Sequence, residues 1–130
     1  FQSSGLISLT LPENVGVEVF AFADCQNLKE VTLSAGCSMD STAFVDCRNL
    51  GKVTMPAGTD FVYISGNTGA FKGCVKLMEI DFGGTSEEWQ QYRNYGVEFA
   101  LPEGCLIVCT DKTLVTVSDG QGGIDWADKE

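Results

Sequence analysis

Three copies of one pattern constrain this chain more than any other feature. Ala21-Phe22-x-x-Cys25-x-x-Leu28-x-x-Val31-x-Leu33 returns as Ala43-Phe44-x-x-Cys47-x-x-Leu50-x-x-Val53-x-Met55. It returns again as Ala70-Phe71-x-x-Cys74-x-x-Leu77-x-x-Ile80-x-Phe82. The leading alanines at 21, 43 and 70 set intervals of 22 and then 27 residues. A partial copy, Leu6-x-x-Leu9-x-Leu11-Pro12, precedes them, and Pro12 is matched in offset by Ser34 and Pro56. The extra residues of the longer interval fall around Ser65-Gly66-Asn67-Thr68-Gly69, a turn-forming composition. A copy this short cannot hold two strands and a full helix, so each must bury its apolar face against its neighbours.

Each copy ends in an apolar-polar-apolar alternation, the two-residue period of a strand. Stacking the copies in parallel superposes like on like. Leu6, Leu28, Leu50 and Leu77 form one internal column, Leu9, Val31, Val53 and Ile80 a second, Leu11, Leu33, Met55 and Phe82 a third, and Phe22, Phe44 and Phe71 a fourth. Alternate apolar residues from Val15 through Val17 and Val19, and the run Phe61-Val62-Tyr63-Ile64, predict a second, less regular strand on the opposite side of each coil. The expected fold is α/β: a right-handed solenoid of three to four short coils, with parallel strands and a C-terminal cap containing one short helix.

The period stops after Phe82. Thr85-Ser86-Glu87-Glu88-Trp89-Gln90-Gln91-Tyr92 has a hydroxyl followed by acidic residues, which is a helix start. That helix, with strands over 105–109 and 114–117, closes the open end of the stack. The domain is thus expected over 1–117, with repeats over 5–83 and the cap over 84–117, followed by a flexible acidic tail over 118–130. A chain that opens on Phe1 rather than Met is read as a mature or trimmed piece.

The AFxxCxxLxxVxL unit with Pro after it resembles the BspA-like class of bacterial leucine-rich repeats. Gly83-Gly84-Thr85-Ser86-Glu87-Glu88-Trp89, followed by Val108-Cys109-Thr110-Asp111, is similar to the segment that closes such arrays, so the resemblance spans roughly residues 6–115. The family usually places Gly after the closing Cys-Thr-Asp. Lys112 stands here, so that turn differs. The resemblance implies a leucine-rich-repeat fold in a secreted or cell-surface protein. Such repeats bind other proteins, in some members host matrix or plasma proteins. It carries over no binding residues, because those contacts lie on variable exposed positions.

Charge and composition narrow the function. A formal net charge of −10 disfavours nucleic acid and anionic membrane surfaces. No window offers the ~18 apolar residues of a membrane span. The chain has no His, which removes Ser-His-Asp triads, Cys-His dyads and His-containing zinc sites. The 6 cysteines lack close-paired zinc spacings. Cys25, Cys47 and Cys74 share one repeat position and Cys37 occupies that of Val15, so they read as buried thiols. Cys105 and Cys109 lie on one side of a strand, too far apart to bond. The tail around Gly122, Ile124 and Asp125 has part of a calcium-loop order, but Val117 falls where the first carboxylate belongs. Glu87 and Glu88 are adjacent first-turn carboxylates that the helix dipole favours, so they are not read as an acid pair. No enzyme, metal or cofactor is expected.

The outward strand positions carry the functional reading. Ser8, Glu30, Lys52 and Glu79 form one row, and Thr10, Thr32, Thr54 and Asp81 the next. Glu30, Lys52 and Glu79 are expected to make an alternating charge ladder, worth a few tenths of a kcal/mol per pair. Asn27 and Asn49 are read as turn residues. The site expected from sequence is therefore Glu30, Thr32, Lys52, Thr54, Glu79 and Asp81, with the loop from Phe61 to Gly69 beside it. A monomeric, non-catalytic, adhesion-type module would use this face to bind a protein or glycan. The alternative is a structural spacer presenting neighbouring domains of a longer surface protein.

Overall fold

The computed structural model describes residues 5, 7–17, 22–40, 44–62, 71–94, 101–118 and 124–129. Two sheets are built by a chain that alternates between them. Strands β1 (Ser8–Thr10), β3 (Glu30–Thr32), β5 (Lys52–Met55) and β7 (Glu79–Phe82) enter one sheet. Strands β2 (Gly16–Val17), β4 (Ser38–Asp40) and β6 (Asp60–Val62) form the other. All pairings among these seven are parallel, and the register is that of the sequence repeat: Leu9↔Val31, Val31↔Val53, Val53↔Ile80. The less regular second strand is present, with Gly16↔Ser38 and Ser38↔Asp60.

Like residues do stack. Leu28, Leu50 and Leu77 are completely buried, as are Val31, Val53 and Ile80 to within 1%. Phe22 lies 5.4 Å from Phe44 and Phe44 6.2 Å from Phe71, with nearly parallel rings. Leu6 and insertion residues 63–69 lie outside the described residues.

Among the described residues the returns between strands are turns, so they are mostly sheet and less helical than an α/β label implies. Two left-handed positions recur with the repeat. Asp24, Asp46 and Gly73 have φ of 60°, 62° and 82°, and Asn14, Gly36 and Gly58 have 61°, 76° and 80°. Asp, Asn and Gly tolerate this conformation best. A Cβ on Gly73 would also come within 3.0 Å of the Asp46 backbone, so space as well as φ selects glycine there. These turns bond coil to coil: Asp24 N–H donates to Val45 O at 2.8 Å and Asp46 N–H to Lys72 O at 2.7 Å. Asn49, in a turn, bonds to both neighbouring repeats, donating to Gln26 O and accepting from Lys76 Nζ.

Beyond the repeats, α1 (Ser86–Asn94) starts on a reciprocal cap. Thr85 Oγ1 accepts from Glu88 N–H at 3.1 Å, and Glu88 Oε1 accepts from Thr85 N–H at 3.0 Å. Its completely buried Trp89 packs edge-on against Phe82 and Tyr92. Strand β8 (Leu106–Val108) does more than cover an end: it joins β7 in parallel, with Ile80↔Ile107 continuing the inner column. Strands β9 (Thr113–Ser118) and β10 (Ile124–Asp128) then follow antiparallel.

The reading of 118–130 as a loose tail is corrected over Ile124–Asp128, which form β10. It pairs with β9 over five residue pairs and sets Trp126 5.7 Å from Trp89. Edge burial of one large aromatic and a full hydrogen-bond ladder outweigh the segment's polar composition. Among the described residues, no helix is long and apolar enough to cross a membrane.

Candidate functional site

The repeat register determines which side chains share the outer face of the seven-stranded sheet. Residues paired across strands point to the same side. Ser8↔Glu30↔Lys52↔Glu79 therefore form one outward row and Thr10↔Thr32↔Thr54↔Asp81 the next. Between them lie the buried Val31, Val53 and Ile80. All six residues expected from sequence, Glu30, Thr32, Lys52, Thr54, Glu79 and Asp81, come together on this face. Each is exposed or half-exposed.

Lys52 is the hinge of the local electrostatics. Its Nζ lies 3.2 Å from Asp81 Oδ2 and 3.5 Å from Glu79 Oε2. Both ion pairs point towards β7, so the expected even ladder is skewed: the diagonal carboxylate of Asp81 is the closer partner. Hydrogen bonding to Asp81, then its charge and that of Glu79, holds the Lys52 ammonium above the ordinary lysine range. Glu30 remains on the other side as a carboxylate facing solvent. Three carboxylates against one ammonium leave this face acidic.

The rows run on past the repeats, which the six-residue reading missed. Glu79↔Leu106↔Val115↔Ala127 extends the first row and Asp81↔Val108↔Thr113 the second. The signal lay in the uninterrupted apolar run Leu106-Ile107-Val108. In such a run, the residues flanking a buried one must face out.

The thiols belong to the interior. None of the six cysteines forms a disulfide: Cys25, Cys37, Cys47, Cys74 and Cys105 are buried, and Cys109 is half-buried. Cys47 Sγ donates to Phe22 O at 3.0 Å, Cys74 Sγ to Phe44 O at 3.1 Å and Cys37 Sγ to Pro12 O at 3.3 Å. Each is thus a small apolar filler that also ties one coil to the preceding one. The neighbouring Cys47 thiol, then burial, pushes the Cys74 thiol far above the ordinary range.

Glu88 is occupied as the helix cap. Asp111 secures the other end of the closing segment: its two carboxylate oxygens accept from Ser86 N–H and Ser86 Oγ, each at 2.8 Å. These bonds hold the Asp111 carboxyl below its ordinary value. The turn after Asp111 closes on Lys112. Lys112 O accepts from Cys109 N–H at 3.0 Å, and Lys112 Nζ reaches Asp128 of β10 at 3.1 Å.

Residues 1–97 match the family model described as BspA type Leucine rich repeat region, in 6 copies. The chain belongs to the BspA-type leucine-rich-repeat family. No curated protein and no solved structure matches it. BspA-type leucine-rich repeats are generally non-catalytic protein-interaction modules, and such repeats are typical of surface or secreted bacterial proteins.

Proposed function

We propose that this chain is a non-catalytic adhesion-type module of a secreted or cell-surface bacterial protein. It binds a protein or glycan, such as a host matrix or plasma protein, through the outer strand face. The contacts are assigned to Glu30, Thr32, Lys52, Thr54, Glu79 and Asp81, and to the insertion from Phe61 to Gly69, which from residue 63 on lies outside the described residues. The reading takes the two sheets as the two sides of a right-handed solenoid of three to four coils, monomeric in solution, with repeats over 5–83. One observation carries it: the parallel register gathers polar side chains from four strands into two adjoining rows on one acidic face. No catalytic residue, metal or cofactor enters the reading.

The test is a surface-binding screen of the 130-residue chain against immobilised matrix proteins, plasma proteins and glycans at ~0.15 M salt. Saturable binding that weakens as salt rises is the expected result, since contacts between exposed charges are screened. Silence across the panel overturns the binding reading in favour of a structural spacer presenting neighbouring domains.

A further inference from the structure

The outer face changes chemistry part-way across the sheet. On β1, β3, β5 and β7 its rows hold only Ser, Thr, Glu, Lys and Asp, whereas on β8 and β9 they hold Leu106, Val108 and Val115 with one polar residue, Thr113. Val117 lies on the same side, two residues beyond Val115. These four aliphatic side chains are half-exposed, while their inward neighbours Ile107 and Leu114 are buried to within 1%. An acidic field and an apolar field therefore adjoin at the β7–β8 pair.

We propose that this face takes an extended polypeptide segment with basic side chains over Glu79 and Asp81 and apolar side chains over Val108 and Val115. The inference rests on the strand-face reading above and adds the chemistry of the partner. Charge complementarity argues for it: with Glu30, Glu79 and Asp81 set against Lys52 alone, the acidic field has carboxylate to spare. The half-exposed aliphatics gain by leaving water. A glycan offers hydroxyls to the carboxylates but neither a cation nor an aliphatic side chain, so it leaves the apolar field unmatched.

Spacing sets the length. Neighbouring strands lie ~4.8 Å apart, so β3 to β9 spans roughly 19 Å, about six residues of extended chain. β7 to β9 spans ~10 Å, about three residues, which places the basic and apolar blocks next to each other in the ligand.

The probes are three synthetic octapeptides measured on the intact chain: a Lys/Arg block followed by a Leu/Val block, a Lys/Ser peptide, and a Leu/Ser peptide. D81K and V115T serve as variants, each checked for an unchanged far-UV circular dichroism spectrum. The expected result is saturable binding of the block peptide at least about tenfold tighter than of either other peptide. D81K weakens the block and Lys/Ser peptides, and V115T weakens the block and Leu/Ser peptides. Equal binding of the block and Lys/Ser peptides overturns the apolar half of the proposal, and a silent block peptide overturns it entirely. If a matrix or plasma protein binds in the screen while the block peptide is silent, this inference fails and the strand-face reading stands. Silence of both defeats both.

Discussion

Truncating Phe44 to Ala tests the stacked interior where it is most continuous. Phe44 is 1% exposed, with Phe22 stacked on one side and Phe71 on the other at 5.4 and 6.2 Å. Losing the buried ring forfeits about 1.5–3 kcal/mol of transfer free energy. The cavity adds to this at ~24 cal/mol per Å³, so a void of about 80 Å³ that neither coil can collapse into adds ~2 kcal/mol. The sum falls in the ~3–5 kcal/mol range of buried Phe truncations. A domain of this size has only about 5–15 kcal/mol in total, so F44A should remove a large share of its stability. F44L, which keeps much of the volume, should cost about 1–1.5 kcal/mol.

The assay is urea unfolding followed by far-UV circular dichroism and by tryptophan fluorescence. The chain's 2 tryptophans, Trp89 and Trp126, both lie beyond the repeats, whereas the phenylalanine column lies within them. Coincident curves with a lowered midpoint and an unchanged slope would show that one cooperative unit felt the cavity. A loss under ~1 kcal/mol for F44A would refute the argument, because a ring enclosed on both faces cannot be that inexpensive to remove.

Three further outcomes follow from named contacts. Because Ser86 holds the Asp111 carboxyl below its ordinary value of 3.8, that contribution is complete above this pH and is lost as pH falls below it. The urea midpoint should therefore drop less between about pH 5 and about pH 3 in D111N than in the unaltered chain, and equal drops would contradict the Ser86–Asp111 contact. Burial pushes the Cys105 thiol up to about 12 and the Cys109 thiol up to about 11. An aromatic disulfide reagent near pH 8 should then react slowly with the native chain, at Cys109 first, and with all 6 thiols only in urea; immediate reaction of two or more native thiols would contradict the buried column. W126A should lower stability by about 2 kcal/mol through loss of the packing on Trp89, and a thermal midpoint unchanged by it would restore the loose-tail reading.

The interior was legible because a repeat turns sequence offset into spatial register. Val31, Val53 and Ile80 occupy one offset and therefore one column, and so do the outward Glu30, Lys52 and Glu79. What the pattern left out was set by contacts between unlike residues. Asp24, Asp46 and Gly73 differ in type yet share a left-handed turn, since the backbone selects for tolerated φ rather than for one side chain. Whether Lys52 pairs across or diagonally depends on side-chain reach: Asp81 one row away is nearer than Glu79 in its own row. β10 was hidden because its one large aromatic, Trp126, stands among Asp and Ala, and its burial depends on Trp89 far back in the chain. The apolar half of the outer face was missed because β8 carries no copy of the repeat motif, although it completes the parallel sheet.

The central claim is that the outer strand face is the binding surface. It is tested most directly by measuring the E30K/E79K/D81K variant beside the unaltered chain against whichever panel protein binds best, with urea unfolding run on both. The three positions are exposed or half-exposed, so stability should shift by no more than about 1 kcal/mol while affinity falls by at least about tenfold. A variant that folds normally and binds as tightly as the unaltered chain would contradict the account.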